Sequence, residues 1–155
     1  MRWRSISLLV AALVALAWPA AGASGRILKV LPQFLDTQGR ASLSPSLYER
    51  DAYQALLRLH PERRSGLRFN VQWKTKGPAW EPLTLRLELR GTATGDLPRE
   101  IILDEKPATK GKWLTRWTGI TLSPEEFTRL GTVTAWRASL WEGQTLLAQQ
   151  QSFLW

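Results

Sequence analysis

The chain has no cysteine, a single histidine and a single methionine in 155 residues. Without thiols there is no disulfide, no cysteine nucleophile and no Cys-based metal site, so burial alone must stabilise the fold. With one imidazole, any Ser-His-Asp triad or His-based metal site would rest on His60 alone. His60 stands between Leu59 and Pro61, at the end of a predicted helix, where it reads as a capping or surface residue. No G-x-S-x-G, P-loop or G-x-G-x-x-G segment occurs, which removes the usual catalytic and nucleotide fingerprints. Asp96, Asp104 and Glu105 lack the spaced acids of a calcium loop. Two carboxylates for glycoside hydrolysis can be drawn from Glu81, Glu88, Glu100, Asp104 and Glu105, yet 13 acids in a small domain supply such pairs by chance. The expectation is a protein that is no enzyme and takes no cofactor and no metal.

Long apolar runs are scarce too. The one present, Ile6 to Trp18, is 13 residues, short of a membrane span of roughly 18–20. Arg2 and Arg4 precede it and Pro19-Ala20-Ala21-Gly22-Ala23 follows, the order of a secretory signal with cleavage after Ala23. Residues 1–23 are therefore expected to be removed, leaving 24–155 as a single exported domain, periplasmic or extracellular and not membrane-spanning. Losing Arg2 and Arg4 leaves 19 basic against 13 acidic side chains, a net charge of +6. The basic residues are scattered rather than bunched, which reads as a solvated surface more than a polyanion site. Export and that scatter together argue against nucleic acid as a partner.

What is present is mostly strand. Leu67–Lys74 and Leu83–Arg90 each alternate apolar and polar for eight residues, placing Leu67, Phe69, Val71 and Trp73 on one core-facing side and Leu83, Leu85, Leu87 and Leu89 on another. ILKVLPQFL, from Ile27 to Leu35, suits a first edge strand because Pro32 cannot donate to a ladder. Ser46 followed by Glu49 forms a predicted capping box, opening a helix over about 47–59 on which Tyr48, Ala52, Ala55, Leu56 and Leu59 recur at helical spacing. Gly91–Pro98 reads as a loop, Ile101-Ile102-Leu103 as a short buried run, and Trp113–Leu122 as a strand kinked at Gly119. Ser123-Pro124-Glu125-Glu126 starts one helical turn carrying Phe127 and Leu130, which Gly131 ends. The last two segments, 132–141 and 145–155, flank Glu142-Gly143-Gln144 as a hairpin. In its second arm either Leu146, Ala148, Ser152 and Leu154 or Leu147, Phe153 and Trp155 face inward, unless a bulge switches faces midway.

The closing segment AWRASLWEGQTLLAQQQSFLW resembles the last hairpin of immunoglobulin-like or fibronectin-III-like modules in bacterial exported proteins, and the mature chain resembles a small family of such proteins. The resemblance implies an all-β, immunoglobulin-like antiparallel β-sandwich, here with one inserted short helix. It implies no catalytic residues.

Tryptophan is the unusual residue: nine in all, of which Trp3 and Trp18 lie in the signal segment. Trp73 and Trp136 stand in phase with apolar neighbours and read as core. Trp80 sits among Gly77-Pro78-Ala79 and Glu81-Pro82, on a loop, where a large ring either plugs the sandwich or meets a partner. Trp141 is expected to face outward beside Arg137. The expected function is binding or structural, in contact with a protein partner. The alternative is a glycan-binding module, for which Trp113, Trp117 and Trp141 would form a row on one exposed face.

Overall fold

The structure is a computed structural model and describes residues 22–107 and 115–155. Most of the expected signal segment, up to residue 21, and Trp113 lie outside those residues. Among the described residues, seven strands follow one another as β1 (Ser24–Asp36), β2 (Arg64–Lys76), β3 (Leu83–Ala93), β4 (Leu97–Glu105), β5 (Arg116–Thr121), β6 (Thr132–Glu142) and β7 (Thr145–Gln151). Helix α1 (Leu47–Leu59) lies between β1 and β2, and α2 (Pro124–Leu130) between β5 and β6. The strands form two antiparallel sheets, ordered β1-β2-β5 and β4-β3-β6-β7. First, second and fifth strands in one sheet, with third, sixth and seventh in the other, is the immunoglobulin-like arrangement; the fourth strand here pairs with the third. The fold is thus an all-β, immunoglobulin-like sandwich with the inserted helix over the residues expected.

Both alternating strands place their apolar sets in the core. Phe69, Val71, Trp73, Leu85, Leu87 and Leu89 are fully buried, because a period of two puts each set on the face turned to the opposite sheet. A register shift at Leu28 lets Ile27 and Val30, three residues apart, both point inward, opposite Trp73 and Val71. Trp73 is the largest fully buried side chain among the described residues, and its indole N–H donates to Thr118 Oγ1 at 2.9 Å, so its burial leaves no orphan donor. Trp136 packs half-buried against this core.

Helix α1 turns the opposite way from its apolar periodicity. Tyr48 and Leu59 are 83% and 78% exposed, Ala52 and Ala55 are exposed, and the buried residues are Gln54 and Leu57. The reason is the open edge of β1. Gln54 Oε1 accepts the Phe34 N–H and Gln54 Nε2 donates to the Phe34 carbonyl, both at 2.9 Å, with a second donation to Ala41 O at 2.7 Å. One side-chain amide thereby stands in for a neighbouring strand, and Pro32, two residues back in the same phase, has no N–H to leave unpaired. The capping box predicted at Ser46 is not formed, since its side chain makes no cap hydrogen bond. The box exists instead on α2, between Ser123 and Glu126.

Asp36 anchors the β1–α1 junction. It is 5% exposed, and its carboxylate accepts the N–H groups of Gln38 (2.8 Å) and Arg40 (2.9 Å), Arg40 Nε (2.9 Å) and the Tyr53 hydroxyl (2.7 Å). Burial pushes this carboxyl up, but the four donors outweigh it and bring its pKa down from 3.8 to about 2.

Three expectations need correction. Gly91–Pro98 is not a loop, because β3 runs to Ala93 and β4 starts at Leu97, leaving a tight hairpin turn. The apolar triplet is split by strand alternation, with Ile101 buried and Ile102 55% exposed. Strand β5 keeps its register with β2 through Gly119 without a kink. In the last hairpin the bulge lies at Leu147: Leu147 and Ala148 pack on the core, Phe153 is fully exposed, and Trp155 folds back onto the outer face of β6.

Candidate functional site

The connection from β2 to β3 crosses between sheets and carries Trp80. Its backbone is fastened: the buried Glu142, at the end of β6, accepts the N–H groups of Trp80 and, at 3.2 Å, of Glu81, while Gly143 N–H donates to Pro82 O at 3.2 Å. The indole itself is 78% exposed. Trp141 lies at the same end, opposite Thr84 on β3, half-buried, with its N–H donating to Ser139 Oγ at 2.8 Å. Leu146, its partner on β7, is also exposed. An aromatic ring on a fixed stem is thus presented at the end of the sandwich that also carries the half-buried Trp141.

The outer face of the four-stranded sheet is a lattice of paired charges. Arg137 grips Glu88 through two bonds of 2.6 Å, Arg86 grips Asp104 through two of 2.8 Å, and Arg90 stands 3.7 Å from Glu100. Trp155 lies over two of these guanidinium groups, 4.1 Å from Arg90 and 4.5 Å from Arg137. Arg137 does share the outward face of β6 with Trp141, as expected, but the ring it meets is Trp155. The Arg137 hydrogen bonds hold Glu88 below the usual carboxylate range, and Arg86 does the same to Asp104. A general acid needs the opposite shift.

Trp117 is 51% exposed opposite Gln72, on the outer face of the three-stranded sheet. Trp117 and Trp141 therefore stand on opposite outer faces of the sandwich and cannot form one row. The reason is the connection between β5 and β6, which changes sheets. At the far end of the sandwich, an open cleft of about 740 Å³ lies between α2, the β3–β4 turn and the start of β2. Phe34, Arg64, Thr94, Asp96, Phe127 and Thr128 line it. The Arg64 guanidinium is committed to the carbonyls of Leu57 and Arg58 and to the face of Phe34 at 4.2 Å. His60 is the C-cap residue of α1, and its ring pairs with Glu62 at 3.0 Å. Among the described residues no group of three or more His, Asp or Glu side chains is placed to hold a metal ion, and no helix is long and apolar enough to cross a membrane.

Composition marked Trp80 and Arg137 but gave no sign of Trp155 as the cover of the charged lattice, since its partners lie up to 65 positions away. No family model and no curated protein matches the chain. Among solved structures it is similar to an immunoglobulin-like protein from Pseudomonas aeruginosa, at 13% identity over 84% of this chain and 96% of that chain, with a TM-score of 0.38. The fold assignment rests on the strand order of the two sheets.

Proposed function

We propose that the chain is an exported, non-enzymatic β-sandwich module that binds a protein partner, in the periplasm or outside the cell, through the end that carries Trp80. The observation behind this reading is the Trp80 ring, exposed to 78% on a backbone pinned by Glu142. Such a ring loses little conformational freedom on docking and offers a large apolar face, the properties of an interface hot spot. Export is supported by the basic start, the short apolar stretch and the small residues before Ser24, where β1 opens. The absence of catalysis is supported by the arginine-bound state of Glu88 and Asp104.

A photo-crosslinking residue placed at position 80 in exporting cells tests the reading, with position 37 on the exposed β1–α1 loop as control. A discrete protein adduct at 80 and none at 37 is expected, on a chain whose amino terminus is Ser24. No adduct, together with shielding of tryptophan emission from acrylamide by a soluble glycan, overturns it in favour of sugar binding.

A further inference from the structure

We propose that α1 is a self-association helix, through which two copies of the chain pack antiparallel along the exposed seam Tyr48, Ala52, Ala55 and Leu59. The seam repeats at spacings of four, three and four residues, the alternation of a coiled-coil contact line. It lies on the side of the helix opposite the buried Gln54 and Leu57, so the fold leaves it uncovered. Small side chains at its centre allow close approach of two helices, while Tyr48 of one copy closes over Leu59 of the other.

Charge selects both the partner and its direction. At about 100° per residue, Asp51 and Arg58 flank the seam on one side, one in each half of the helix, and Glu49 and Leu56 flank the other. In an antiparallel two-fold pair, equal flanks face each other with their ends exchanged. Each Asp51 then stands beside the partner copy's Arg58, twice over in one isologous contact. A parallel pair would instead set the Asp51 flank against Glu49. Among the described residues, Asp51 is held within its own chain by Arg50 alone, at an exposed 3.4 Å. Acids on both flanks disfavour an anionic lipid surface as the occupant of the seam. A 13-residue helix is about 20 Å long, so the contact falls below the roughly 1,200 Å² of a standard interface and belongs with the weak, transient class.

Sedimentation equilibrium of the purified mature protein from about 1 to 500 µM tests this. A concentration-dependent dimer is expected, lost in Leu59→Glu with unchanged thermal stability, because Leu59 is exposed in the monomer. Asp51→Arg and Arg58→Asp should each weaken it about tenfold, and the double exchange should restore it. A monomer throughout the range, or a dimer indifferent to Leu59→Glu, overturns the proposal. So does a monomer that binds phosphatidylglycerol vesicles through Leu59. Trp80 lies away from α1, so crosslinking at position 80 succeeds or fails independently of this result.

Discussion

Replacing Asp36 by asparagine keeps the shape of the side chain and removes its charge, which isolates the electrostatic share of the β1–α1 junction. Asn Oδ1 can still accept the N–H groups of Gln38 and Arg40, and the Tyr53 hydroxyl can turn to accept from the new amide. Arg40 Nε cannot, and it loses its partner. A carboxyl whose pKa falls from 3.8 to about 2 on folding stabilises the native state by about 2 kcal/mol at neutral pH, at about 1.4 kcal/mol per unit. Asp36→Asn should therefore lower Tm by roughly 6–8 °C at pH 7. The sign with pH follows from the depressed value: the contribution is complete above about pH 5 and is lost as pH falls towards 2. Urea unfolding of both proteins at pH 7 and pH 3 should show the gap shrinking by about half. Equal stability at pH 7 within about 0.5 kcal/mol, or a gap unchanged at pH 3, would refute the reasoning.

Tyr53 gives the alkaline counterpart. Its hydrogen bond to Asp36 raises the phenol pKa above 10, so native stability is complete below about pH 10 and falls as pH rises beyond it. Tyr53→Phe should cost about 1.5 kcal/mol at pH 7 and remove that alkaline slope; an unchanged slope places its origin elsewhere. Gln54→Ala strands the Phe34 N–H, the Phe34 carbonyl and Ala41 O, and should cost about 3 kcal/mol in denaturant melts, with less than about 1 kcal/mol counting against its role on the β1 edge. Gly131 ends α2 at φ 71 and ψ −134, and a Cβ there would sit 2.2 Å from Thr92 O. Gly131→Ala should therefore destabilise by about 3 kcal/mol, and a near-neutral change would show that the turn can reshape.

Much of the fold was legible because the information is local. Alternation in Leu67–Lys74 and Leu83–Arg90 sorts eight apolar side chains to the core whatever their strands pair with, since the pleat alone sends successive residues to opposite faces. Pro32 marked an edge strand for the same kind of reason, and Ser123-Pro124 and Gly131 marked the ends of α2. Helix α1 was read with the right ends and the wrong face. Its apolar periodicity is genuine, but the need to pair Phe34 outweighed it, and that need appears only once β1 stands at the edge of a sheet.

The tryptophans divide along the same line. Trp73 could be placed from its strand phase, and Trp80 from the glycine and prolines around it. Whether Trp117 and Trp141 share a face depends on which sheet each strand joins, and no local rule carries that. The Glu88–Arg137 pair, 49 residues apart, and the two guanidinium groups beneath Trp155 depend on register between distant strands. The sequence by itself thus determined where most strands lie, the inward faces of β2 and β3 and the ends of both helices, because backbone geometry and side-chain period act within a few residues. Only the tertiary structure decided sheet membership, the face α1 shows to solvent and the neighbours of each exposed ring, because these follow from closing long loops and satisfying backbone groups far apart in the chain.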